Sequence, residues 1–158
     1  MSEHDQDTSA TTIAIAELAS PYSTFCVLCE QAEALPDGSV TLRRIVNRWG
    51  LRDVLPPVAI SFWIAVGFKN LTPGERTPIR LVFIHEETRQ GVSVSEPDIL
   101  SETTELNYLA EADRFVIHRL GHYRLSVLHG DREIGRFPFE VALDPVVDVP
   151  DSVEPGPL

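Results

Sequence analysis

The stretch that most constrains this chain is VAISFWIAVGF, residues 58–68. Val58, Ile60, Phe62, Ile64, Val66 and Phe68 alternate without a break. Successive side chains on a strand point to opposite faces, so this period of two puts all six on one face and demands a core against it. PIRLVFIHEE repeats the pattern through Ile79, Leu81 and Phe83, and the two runs read as a hairpin across the loop KNLTPGERT. Further along, Tyr123, Leu125 and Val127 share one face, as do Phe137, Phe139 and Val141, with Gly130-Asp131 as the turn between them. YSTFCVLCEQAEAL reads as a strand ended by Pro36-Asp37-Gly38, with SVTLRRIV returning. NRWGLRDVLPP reads as a connection, and GVSVSEPDI as another short strand.

These runs predict an all-β fold, an antiparallel β-sandwich of about seven to nine strands with at most one short helix. Residues 99–111, ILSETTELNYLAE, fit a helix, a strand or an ordered loop, and TTIAIAELA fits an edge strand or a short helix. The domain is expected over residues 12–143. An acidic tail, 1–11, precedes it, and a Pro-rich acidic tail, 144–158, follows.

Charge sharpens that division. The net charge is −11. Glu3, Asp5, Asp7, Asp144, Asp148, Asp151 and Glu154 lie in the two tails, which contain no Lys or Arg. Without them the body is only mildly acidic, and acidic tails discourage nucleic-acid binding. No apolar run reaches the ~20 residues that span a bilayer. The N-terminus opens on acids instead of a basic segment, so the expected compartment is the cytoplasm, with no membrane partner.

Chemistry is sparse. Cys26 and Cys29 form a CxxC inside a strand-like run, where positions three apart point to opposite faces, so they read as buried structural thiols. His118, His122 and His129 crowd HRLGHYRLSVLHG. On one strand His122 and His129 have opposite parity and lie ~23 Å apart, too far to share an ion, which leaves His118 and His122 as the smaller pair. Glu86, Glu87, Glu96, Asp98, Glu102 and Glu105 lack the oxygen-rich spacing of a calcium loop, and no GxSxG occurs. The expectation is no catalytic function, no metal and no cofactor.

Two weak sites stand out. Arg43, Arg44, Arg48 and Arg52 flank Trp49, a set that could hold an anion or sugar by guanidinium forks and ring stacking. The residues opposite the core set, Trp63, Ala65, Val82 and Ile84, are apolar where a solvated sheet would be polar. Something should cover them: the segment TIAIAELA, residues 99–111, or another subunit.

FCVLCEQAEALPDGSVTLRRIVNRW, LPPVAISFWIAVGF and LGHYRLSVLHGDREIGRFPFEV together resemble an uncharacterised bacterial family of small β-sandwich proteins, over roughly residues 20–143. The G-x-Y hairpin at Gly121–Tyr123 is similar to that of many immunoglobulin-like sandwiches. The resemblance implies a fold without an assigned activity and carries over no catalytic residue. The sequence thus points to a protein-interaction or assembly module, self-associating as a homodimer or binding another protein. The alternative is a ligand-binding sandwich at the Arg/Trp cluster.

Overall fold

The computed structural model describes residues 20–145. TTIAIAELA and all but the first two residues of the expected C-terminal tail lie outside them. Eleven strands run in chain order: β1 Tyr22–Ala34, β2 Val40–Ile45, β3 Arg48–Leu51, β4 Val58–Lys69, β5 Arg76–Pro78, β6 Arg80–His85, β7 Gly91–Ser95, β8 Asp98–Leu100, β9 Leu106–Ile117, β10 Gly121–His129 and β11 Arg132–Leu143. Among the described residues there is no helix, and so none long and apolar enough to cross a membrane. Three strands, β3, β5 and β8, have only three or four residues; of the others, the first half of β9 lies in the stretch 99–111 that alternation leaves open.

Two sheets pack face to face. One has the order β2-β1-β4-β9 and the other β3-β11-β10-β6-β7, with β5 and β8 forming a small third pair. Neighbours run antiparallel except β3, which lies parallel to β11. Expected hairpins form where turn chemistry demanded them. Gly38, at φ 85°, turns β1 into β2, with the Asp37 carboxylate accepting from the Ser39 amide at 2.9 Å. Gly130, at φ 62°, turns β10 into β11.

β4 and β6 do not form a hairpin. They belong to opposite sheets, and their inward faces meet across the core, where the Phe62 and Phe83 centroids are 5.3 Å apart. An alternating strand needs a core on one side but does not say whether the next strand lies beside it or across from it. The connection carrying β5 crosses the end of the sandwich and buries Leu71 and Ile79 on the way. β9 and β10 likewise change sheets, so the chain winds as a Greek key. At the second crossing the Tyr123 hydroxyl donates to the Arg119 carbonyl at 2.6 Å. This tyrosine corner, with the two-sheet winding, makes the sandwich immunoglobulin-like.

The six alternating residues of β4 face inward, five of them buried and Val58 packed at the margin. At the centre Phe62, Phe83 and Phe139 are interlocked with Trp49, Phe115 and Tyr123 at centroid separations of 4.7–5.9 Å. Tilted and edge contacts, with Tyr123 stacked on Phe139, add to the burial of the rings. Residues 99–111 resolve into the end of β8, a hydroxyl-rich turn and the start of β9.

Candidate functional site

The arginine-tryptophan set does not converge. Trp49 lies on β3 with its ring edge-on to Phe62 and Phe139, so it belongs to the core and offers no stacking platform. NRWGLRDVLPP was expected to be only a connection; instead it contains β3, because pairing with β11 places Trp49 beside the buried Val141. Arg48 binds Asp144, 2.7 Å away, and that hydrogen bond and charge push its guanidinium pKa up. Asp144 is thus tied to the sandwich, as its amide also donates to Leu51. Arg44 adopts φ 59° and pairs with Glu30 at 3.3 Å, while Arg52 is exposed. Arg43, on the other side of β2, leaves the group altogether.

The four apolar outer residues are split as well. Trp63 and Ala65 lie on the outer face of the β2-β1-β4-β9 sheet, and Val82 and Ile84 on that of the other sheet, because β4 and β6 are not neighbours. On the first face, register places Val27 beside Ala65 beside Leu109, and Ile45 beside Cys29 beside Trp63 beside Glu111. Phe25 packs over Gly67, where an added Cβ would meet its ring at 2.4 Å. Ala65 and Cys29 are out of solvent, Trp63, Val27 and Leu109 are half-buried, and Ile45 is 57% exposed. Arg43 and Trp63 share a groove of about 410 Å³ with Gln31, Glu33 and Thr41. At the opposite edge Glu111 and Asp113 are exposed, Asp113 accepting from Ser61 at 2.9 Å. An apolar strip therefore runs between Arg43 on β2, with Glu33 of β1 one rung away in the same groove, and two acids on β9.

The second outer face is polar around its valine. Arg124 contacts Glu86 at 3.2 Å and Glu133 at 3.1 Å, and Glu133 also accepts from Arg136 and from the fully buried Ser126. The Arg124 Nε lacks a hydrogen-bond geometry, so its contact with Glu133 is ionic. Burial pushes the Glu133 carboxyl up, but the Ser126 and Arg136 hydrogen bonds and the two arginine charges outweigh it, leaving it below the ordinary range. Val82 is buried on this face, at 5% exposure, and Ile84 is half-buried.

Cys26 and Cys29 are free and buried, on opposite faces of β1. Burial pushes the Cys26 thiol up to about 12, which suppresses its thiolate. His118 and His122 are exposed, and His122 and His129 stand at opposite ends of β10. No three His, Cys, Asp or Glu side chains among the described residues cluster as metal ligands.

A cleft that the sequence did not single out opens where β7 and β9, the last strands of the two sheets, border the same side of the sandwich. The Ser95 and Tyr108 hydroxyls, 3.1 Å apart, bridge that side. The cleft holds about 250 Å³ and is floored by Phe83, Phe115, Ile117 and Tyr123, with Gln90, His118 and Arg119 at its polar margin. His85, 5% exposed, forms one wall. Its Nε2 faces the Leu120 carbonyl at 2.9 Å, an acceptor only, so Nε2 carries the proton; Nδ1 accepts from the Thr88 amide at 3.2 Å. His85 ends an apolar strand, and alternation alone made it the next inward position after Phe83. That was the available signal.

No protein-family model matches the chain, and no curated protein matches it. Among solved structures, a β-glucosidase from Listeria innocua is 14% identical over 77% of this chain and 16% of its own, with a TM-score of 0.44. An alkylpurine DNA glycosylase from Pseudomonas fluorescens is 9% identical over 74% and 30%, with a TM-score of 0.42. An immunoglobulin-like protein from Pseudomonas aeruginosa is 14% identical over 75% and 97%, with a TM-score of 0.40. The chain thus spans about a sixth of the glucosidase and under a third of the glycosylase, and at these scores neither activity transfers to it.

Proposed function

We propose that this protein is a non-catalytic interaction module that self-associates through the outer face of its β2-β1-β4-β9 sheet. The observation that carries this reading is the apolar strip of Val27, Trp63, Ala65 and Leu109 between Arg43 on one side and Glu111 and Asp113 on the other. Two such faces can pack about a two-fold axis that lies between them along the strands. The axis sets β2 of one copy opposite β9 of the other. Apolar rows then meet near the axis, and Arg43 meets the partner's acids on both flanks. The long β1, β4 and β9 and the six-residue β2, ~4.8 Å apart at ~3.3 Å per residue, span roughly 680 Å² per copy, somewhat under the ~800 Å² of a standard interface.

The test is mass by light scattering. The wild-type chain is expected at twice 17.6 kDa, and Trp63→Glu at 17.6 kDa with an unchanged circular dichroism spectrum, since Trp63 points away from the core. A wild-type mass of 17.6 kDa throughout the micromolar range would overturn the reading.

A further inference from the structure

The cleft between β7 and β9 lies outside the proposed dimer face. We infer that it binds a small apolar monocarboxylate, such as an aryl- or branched alkyl-acetate. Its volume of about 250 Å³ suits one ring with a short arm, and the exposed Val92 and Val116 over the deeper Phe83, Phe115, Ile117 and Tyr123 offer that ring an apolar bed open to solvent on one side. Selectivity comes from the margin. Arg119 is exposed and forms no ion pair among the described residues, and His118 stands next to it.

The turn carrying these two is fixed before any ligand arrives. Tyr123 holds the Arg119 carbonyl at 2.6 Å and His85 holds the Leu120 carbonyl at 2.9 Å, so two successive peptide groups are pinned by buried side chains. A pre-set turn spares the ligand the ordering cost of binding. Glu87 is the nearby acid; its carboxylate lies on the Gly121 side and does not line the cleft.

Other ligand chemistries fit less well. A sugar would press several hydroxyls against the apolar floor, where both His85 nitrogens are already bonded, and Gln90, His118 and Arg119 could meet only those at the margin. A bare phosphate would leave the floor unused. With both nitrogens bonded, His85 serves to hold the turn in place beside the ligand.

Phenylacetate titrated into the ¹⁵N-labelled full chain tests this. Saturable amide shifts are expected within 83–92 and 115–123, with a Kd of about 0.1–1 mM for a ligand of this size. Phenylacetamide, the same shape without the charge, should bind about tenfold more weakly. Arg119→Gln, which keeps the backbone carbonyl that Tyr123 needs, should erase the difference between acid and amide. The inference is overturned by any of three results: no saturable shift up to ~10 mM, equal binding of acid and amide by the wild type, or an acid preference that survives Arg119→Gln. None of these bears on the dimer face, whose test is mass.

Discussion

Phe83→Ala is expected to lower the unfolding free energy by about 3–5 kcal/mol, measured by urea denaturation. Phe83 is 2% exposed and sits within 5.3 Å, centroid to centroid, of Phe62, Phe115 and Phe139. These rings come from β4, β9 and β11, so one side chain of β6 ties together strands of both sheets. The neighbours are aromatic and held on strands, which limits how far they can collapse into the space left behind. A loss below ~1 kcal/mol would mean the core is packed otherwise.

Gly121→Val is the second large effect, expected at about 3 kcal/mol or more by the same measurement. Gly121 adopts φ 127°, a backbone conformation that side chains with a Cβ rarely take. A Cβ there would lie 2.8 Å from His85 Nε2, the atom that donates to Leu120. The imidazole would have to move, leaving a buried N–H and a carbonyl unpaired at the tyrosine corner. Strain and lost hydrogen bonding thus fall on the same turn. Gly130→Ala is the contrast: its φ of 62° is also positive, but nothing lies within 4 Å of the added carbon, so only the smaller backbone cost of about 1 kcal/mol applies.

What could be read from the sequence follows from what alternation encodes. Phe62, Ile64 and Val66 had to face a core whatever the neighbours were, and Gly38 and Gly130 had to turn the chain. Sheet membership was different. β4 and β6 show the same pattern whether side by side or face to face, and taking them as a hairpin joined Trp63 to Val82 across a sandwich that in fact separates them. Trp49 was misread because a four-residue strand is too short to show a period, and only the parallel pairing with β11 reveals its inward side. The doublet Arg43-Arg44 looked like one charge cluster. Along β2 its members point apart, toward Trp63 and toward Glu30, so spacing in sequence was no guide to convergence. The cleft was hidden for a related reason: its walls come from β6, β7, β9 and the turn before β10, which only the fold brings together.

The claim that this sheet face joins two copies rests on Arg43 meeting an acid of the partner, and charge reversal tests that pairing directly. Arg43→Glu and Asp113→Arg are both exposed substitutions on edge strands. Each alone sets like charges against each other twice in a two-fold dimer, at a cost of several kcal/mol, so each should sediment as a monomer. Mixed in equal amounts, the two variants form opposite pairs on both flanks, and sedimentation velocity should show the dimer restored. Single variants that remain dimeric, or a mixture that stays monomeric, would contradict the account.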